Sequence, residues 1–321
     1  MTDSPASPTP HLPTLMTVHA HPDDETIGTG GTMARAVAAG RRVVLVTCTR
    51  GELGEIVIPE LDTVDNHRRL AELRAVELER AMGHLGVTEW ENLGYRDSDM
   101  MGRVGNLDPR CFWRADLDEA TGRLVWLIRT YRPDVITTYN EFGGYGHPDH
   151  IRVHDVAVRA FPRAGDPAWY PEQLAPEHGG SGPASGEGGL APWSPAKLYE
   201  QAFPVSFFER LREMYEASGL PNPWAPPEGA TLEEIAAYEA EGARMVVPDE
   251  AITTRVDISG DPLERKWAAL REHVTQIAED FPMVRFGIEG WREAWHTETF
   301  ILRESTVAAT LPEDDLFAGL G

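Results

Sequence analysis

The chain has 321 residues, 41% of them hydrophobic and 25% charged, and a formal net charge of −23. That length buries a full core without disulfide staples, and so acidic a balance excludes nucleic acid and anionic membrane as expected partners, since both require basic surface. Two cysteines make no disulfide framework and fit a reducing compartment, and no stretch approaches the roughly 20 apolar residues of a membrane span, so a cytoplasmic protein is expected.

Residues 1–13 are rich in Pro, Ser and Thr, with neither a basic start nor an apolar centre, and read as a disordered tail. The first strand-like run, from Leu15, ends abruptly in His19-Ala20-His21-Pro22-Asp23-Asp24-Glu25. Adjacent carboxylates repel, and they sit together where a cation, water or a shared proton offsets the repulsion. At the carboxyl end of the first strand of an open α/β sheet they lie where such sheets bind ligands. His21 and Asp24 then reach one metal ion, and Asp23 is left for proton transfer; its structural alternative is an N-cap. A helix from Thr32 to Gly40 and a strand from Val43 to Cys48 complete a βαβ unit, which goes with a parallel sheet. The glycines at 28, 30 and 31 invite a dinucleotide reading, but GxGxxG fails at Met33. Cys48, inside an apolar strand, reads as buried and structural.

A long helix spans Arg68 to Leu85, and the pattern alone makes Arg74 and Glu77 surface charges. A weak strand (Glu89 to Leu93), a polar loop (Tyr95 to Gly102) and a helix (Asp118 to Tyr131) precede the strand Val135 to Tyr139. That strand delivers a second cluster, Gly143-Gly144-Tyr145-Gly146-His147-Pro148-Asp149-His150. Three N/O ligands with a fourth position open is the catalytic zinc pattern. The residues alone therefore point to a mononuclear site of His21, Asp24 and one or both of His147 and His150. On the following helix His154 reads as solvated. The expected fold class is α/β, a Rossmann-like mostly parallel sheet flanked by helices, with a smaller C-terminal α+β portion. Residues 14–162 form its catalytic part, 163–195 a mobile loop, and 196–303 the part that completes the domain, with a peripheral insertion at 221–248, a strand at Thr253 to Ile258 and a helix from Asp261 to Ile277. Residues 304–321 read as a tail.

The pairing of AHPDDE (Ala20 to Glu25) with HPDH (His147 to His150) resembles the zinc-dependent N-deacetylases of the LmbE/PIG-L type. Thr47 to Glu55, the RAVEL stretch at Arg74, Arg96 to Ser98, Gly143 to His150 and KWAALREHVTQ (Lys266 to Gln276) resemble one branch in particular, the mycothiol-pathway N-acetylglucosaminyl-inositol deacetylase and the mycothiol S-conjugate amidase. The resemblance implies a Rossmann-like fold and one Zn²⁺ per chain held by His21, Asp24 and His150. It implies Asp23 as general base, His147 as the group that stabilises the oxyanion or acts as acid, Asp149 as the residue that orients His147, and Tyr145 as a mobile residue closing on the carbonyl. Glu55, Arg74 and Asp97 match positions that hold sugar or inositol hydroxyls. Thr29 and Gly146, where amidase members carry Lys and Pro, lean toward the deacetylase.

The expected partner is therefore a small amino-sugar substrate, and the expected reaction is hydrolysis of its acetamide by a metal-activated water. Alternatives within the class are an amidase on thiol S-conjugates and a deacetylase of N-acetylglucosaminyl-malate. Outside it stand a non-catalytic sugar- or metal-binding protein and a nucleotide-dependent oxidoreductase. Two imidazoles and a carboxylate also accept Fe²⁺, Co²⁺ or Ni²⁺, and the oligomeric state is not legible in the sequence.

Overall fold

Apolar runs rich in β-branched residues, with no polar alternation, form strands buried on both faces, as parallel sheets require. In the computed structural model, which describes residues 12–175 and 189–320, β1 (Leu15–His19) is followed by α1 (Asp24–Gly28), α2 (Gly30–Ala38) and β2 (Val43–Thr47). Then come α3 (Val64–Arg68), α4 (Leu70–Leu85), β3 (Glu89–Asn92), α5 (Leu117–Tyr131) and β4 (Val135–Tyr139). The single turn α6 (Gly143–Gly146), α7 (Pro148–Arg163), β5 (Lys197–Gln201) and the two-residue β6 (Phe203–Pro204) follow. The chain closes with α8 (Val205–Ser218), α9 (Leu232–Met245), β7 (Val246–Val247), β8 (Thr254–Asp257), α10 (Asp261–Leu270), α11 (Gly287–Ala294) and β9 (Thr297–Ser305).

The main sheet has the order β3-β2-β1-β4-β5-β9-β8. Its first five strands are parallel, and β9 runs antiparallel to both β5 and β8. The connections from β1 leave toward opposite sides, to β2 and ultimately to β4, so the crevice beyond the carboxyl ends of β1 and β4 is the topological switch point where such sheets bind ligands. Alternate side chains serve two cores. Met16, Val18, Val44 and Val46 face α5 and α7, and Leu15, Val43 and Leu45 face α2, α4 and α10.

The glycines after β1 serve packing. A Cβ at Gly31 would lie 2.4 Å from Ile258 Cδ1, so only glycine lets α2 approach the β8–α10 connection. The N-terminus of α2, where a dinucleotide phosphate would sit, is filled by the buried Glu298 carboxylate, which accepts from Gly31 N (2.9 Å) and Thr32 N (2.8 Å). Lys266 Nζ neutralises that carboxylate at 2.6 Å.

Several expectations need correction. The Asp261 to Ile277 helix ends at Leu270, because the next residues turn inward: His273 Nε2 meets Glu25 Oε1 at 3.0 Å, and Thr275 donates through N and Oγ1 to Glu77 (2.9 and 2.8 Å). Arg74 and Glu77 are buried rather than solvated. His154 is also buried, its Nδ1 3.0 Å from Tyr139 O. The described part of the 304–321 stretch packs: Glu313 accepts from Lys197 Nζ (2.6 Å) in a buried pair, and Leu316 is fully enclosed. Residues 1–11 of the expected tail and 176–188 of the expected loop lie outside the described residues. The described flanks of that loop are tied to α5, with the Arg129 guanidinium donating to the carbonyls of Ala164, Trp169 and Tyr170. Among the described residues no helix is long and apolar enough to cross a membrane.

Candidate active site

The carboxyl ends of β1 and β4 bring the two motifs together. His21 follows β1 and Asp24 opens α1. After β4, Pro148 takes the first helical position of α7, with His147 as its N-cap and His150 in its first turn. Three donor atoms converge: His21 Nδ1 to Asp24 Oδ2 is 3.3 Å, His150 Nε2 to Asp24 Oδ2 is 3.3 Å, and His150 Nε2 to His21 Nδ1 is 3.3 Å. Ligands about 2.0–2.1 Å from a tetrahedral zinc are separated by about 3.3–3.4 Å, so an ion fits over this triangle with a fourth position open.

The outer contacts fix the tautomers that such an ion needs. His21 Nε2 meets Asp149 Oδ2 at 3.2 Å, and His150 Nδ1 meets Gly143 O at 3.1 Å. In each ring the nitrogen outside the triangle carries the proton, and the other offers its lone pair. Charge points the same way. Burial opposes ionisation of Asp24, but the two imidazoles hold its carboxyl well below the usual range. Burial opposes charging of His21, and hydrogen bonds to Asp149 and Asp24 carry it well above its ordinary value. The cluster favours a positive charge at its centre. Two other groupings, His21–His147–His150 and His21–Asp97–His147–Asp149, also bring donor atoms within 4.8 Å of one another. The equal-sided triangle fits better, because the Asp149 oxygens are already taken by His21, Ser98 N (2.9 Å) and Ser98 Oγ.

This assigns Asp149 differently from the sequence-based expectation: its carboxylate orients His21, and only its backbone N–H touches His147, donating to Nδ1 at 3.1 Å. Neutral His147 therefore carries its proton on Nε2. Burial, followed by the charges at His21 and His150, holds its pKa far below the ordinary value, so it stays a neutral donor.

Asp23 has φ = 111° and makes no capping hydrogen bond. A positive φ on a non-glycine residue persists only where its surroundings impose it. Here Asp23 N donates to Glu25 Oε2 (2.9 Å), Glu25 is held by His273, and Asp23 Oδ1 meets Arg74 Nη2 at 3.0 Å. Burial raises the Asp23 pKa to about 6, against the pull of Arg74, which suits a proton acceptor near neutral pH.

Tyr145 overlooks the triangle, its ring 4.8 Å from that of His150. It lies between Gly144 (φ 75°) and Gly146 (φ 87°), a backbone that other residues adopt at a cost. These groups line a cavity of about 480 Å³, which also takes in Glu55, Arg74 and Asp97. Glu55 is exposed and paired with Arg103 at 3.3 Å. Asp97 accepts from the backbone of Leu53 (3.1 Å) and Asp99 (2.8 Å). The Arg74 guanidinium is committed to Asp23, Gly51 O and Pro22 O. Sequence reasoning missed Tyr139, whose ring stacks on His150 at 4.2 Å, as well as Ser98 and His273. Ser98 and His273 each had a signal, their places in the Arg96 to Ser98 and KWAALREHVTQ stretches; Tyr139 had none.

The profile of the PIG-L family, GlcNAc-PI de-N-acetylase, matches residues 16–161. A protein of Geodermatophilus obscurus named 1D-myo-inositol 2-acetamido-2-deoxy-alpha-D-glucopyranoside deacetylase is 42% identical over 313 residues, 95% of this chain and 97% of its own. Among solved structures, the N,N'-diacetylchitobiose deacetylase of Pyrococcus horikoshii superposes with a TM-score of 0.58 at 20% identity, covering 90% of this chain and 83% of that one. The 4-carboxy-2-hydroxymuconate hydratase of Pseudomonas putida KT2440 superposes with a TM-score of 0.55 at 18% identity, covering 94% and 100%. Proteins named for two different reactions thus share the fold, and the chemistry has to be argued from the site.

Proposed function

The chain belongs to the PIG-L family of GlcNAc-PI de-N-acetylases, and from that premise we propose that it is a zinc-dependent hydrolase that removes acetyl from an N-acetylglucosaminyl-inositol. The observation that carries this reading is the 3.3 Å triangle of His21 Nδ1, Asp24 Oδ2 and His150 Nε2. These atoms would hold the ion, which when bound supplies a Lewis acid for the amide carbonyl and lowers the pKa of water from 15.7 toward about 7.

Asp23, outside the triangle but lining the same cavity and held by Arg74, takes the proton of the attacking water. His147 donates from Nε2 to the carbonyl oxygen as negative charge develops, because its Nδ1 is occupied as an acceptor. A donor of this kind contributes about 2.7–4 kcal/mol in other hydrolases. Tyr145 closes on the same oxygen. The proton gathered by Asp23 passes to the leaving nitrogen, so acetate and a glucosamine-type amine depart. In this reading Arg74 positions the base, and Glu55 with the loop held by Asp97 meets the sugar and inositol hydroxyls.

Acetate release from N-acetylglucosaminyl-inositol by metal-quantified protein, with Asp23→Asn beside wild type, tests the proposal. Support is turnover at about one metal per chain that collapses in Asp23→Asn without loss of metal. Equal turnover by the two proteins sinks the base assignment. A zinc-loaded wild type that turns over N-acetylglucosaminyl-malate but not the inositol compound sinks the substrate.

A further inference from the structure

We infer that the site has an acyl subsite built for chains longer than acetyl, formed by Phe203, Phe207, Phe208, Leu211, Trp224 and Met245. The inference rests on the hydrolase reading above and concerns which acyl group it removes. The starting observation is that the cavity has two unlike halves. On the β2–β3 side of the triangle lie Glu55, Arg74, Asp97, Asp99 and Arg103, and on the β5 side lie these six apolar residues.

Topology sets which half takes which end of the amide. The triangle comes from β1 and β4, the two central neighbours in the order β3-β2-β1-β4-β5. Asp23, which returns a proton to the leaving nitrogen, is tied through Arg74 to Gly51 in the loop after β2. The amine and its polyol therefore leave on the β2–β3 side. The two substituents of a trans amide point away from each other across the C–N bond, so the acyl group points toward β5.

An acetyl methyl would use almost none of what is there. Phe203, Phe207, Phe208 and Trp224 form a ladder with successive ring centroids 5.1, 5.1 and 5.6 Å apart. All four rings are only partly buried, and an apolar wall left open inside a cavity marks a binding surface. The ladder also leads somewhere. Phe208, Trp224 and Met245 line a second cavity of about 500 Å³ between α8 and α9, walled by Val205, Tyr238 and Val246. Trp224 and Met245 belong to the 221–248 segment, which thus acquires a role. Hydrolysis of a long-chain substrate breaks the same C–N bond, adds the hydroxyl of water to the acyl carbon and its proton to the nitrogen, and yields an aliphatic carboxylate and the same amine.

Two measurements test this. The first is kcat/KM for N-acetyl, N-butanoyl, N-hexanoyl and N-octanoyl glucosaminyl-inositol, read by amine release. The second is calorimetric titration of zinc-loaded protein with acetohydroxamate and octanohydroxamate, which needs no turnover. The expected result is kcat/KM rising with chain length to hexanoyl and octanohydroxamate binding at least ~100-fold tighter, since each of six added methylenes contributes about fourfold when fully buried. Trp224→Ser should lower that affinity ratio by about fivefold or more. Equal hydroxamate affinities, with the acetyl compound turned over, overturn the subsite and leave the deacetylase reading standing. A steep hydroxamate dependence with no glucosaminyl-inositol amide turned over keeps the subsite and overturns the substrate.

Discussion

Replacing Asp149 by Asn separates the two roles that its place beside His147 suggests. The carboxylate is fully buried and accepts from His21 Nε2, Ser98 N and Ser98 Oγ. Asparagine keeps the shape and, with its amide oxygen toward His21 and Ser98 N, can donate to Ser98 Oγ, so little strain is introduced. What is lost is the negative charge that supports His21 Nε2–H and strengthens Nδ1 as a ligand. Changes to such outer partners cost about 10–100-fold in metal affinity, or about 1.4–2.8 kcal/mol. Competition with a chelator of known affinity should therefore show zinc held about 10–100-fold more weakly by Asp149→Asn, with most of kcat returning at saturating zinc. The backbone N–H on His147 Nδ1 survives the substitution, so the donor is not disturbed. Unchanged zinc affinity with a kcat tenfold or more lower at full occupancy would refute this account and return Asp149 to His147.

Asp23 must be ionised to act, and its pKa near 6 can only be lowered by a neighbouring cation. The acid limb of kcat/KM is thus expected at or below about pH 6, falling about tenfold per unit further down; Arg74→Met removes an opposing positive charge and should move the limb to higher pH, while a limb that stays put counts against the pair. Dialysis against a chelator should abolish turnover, and zinc should restore it; activity that survives complete metal removal contradicts the reading of the triangle. Glu313→Ala leaves the buried Lys197 ammonium without its counter-charge, a loss of about 3–5 kcal/mol that urea unfolding should register and that Lys197→Met should partly restore; an unshifted midpoint would mean that this buried pair does not form in solution. Gly31→Val places atoms inside Ile258, and an equilibrium stability lowered by less than about 1 kcal/mol would contradict that close approach.

The contrast between what was legible and what was not follows from sequence distance and from what a motif encodes. His21 and Asp24 are three residues apart on one strand end, and His147 and His150 share one helix start, so strand-end position and residue type together were enough to assemble them. Arg74 was assigned to the surface because helical periodicity reads polarity and not partners. Its guanidinium is buried because Asp23, 51 residues away, meets it, and a buried pair leaves the same polar mark in a pattern as a solvated charge. Asp149 was joined to His147 by the family resemblance, yet within an N-cap turn the backbone N–H serves the neighbour and the carboxylate is free to cross to His21, 128 residues away. The inward turn of His273 and Thr275, which ends a helix that their neighbours favour, has the same origin, in partners at Glu25 and Glu77, 248 and 198 residues away. A charged residue near a catalytic motif therefore takes its role from what its own side chain can reach across the sheet. On that reasoning Arg103, the exposed charge of the 100–107 turn, whose guanidinium reaches Glu55 and Asp99 at the rim of the cavity and none of the triangle residues, bears on substrate capture rather than on the chemistry, so Arg103→Ala is expected to raise KM and leave kcat within about twofold. A kcat lowered tenfold at saturating substrate would mean that this loop reaches the reacting amide.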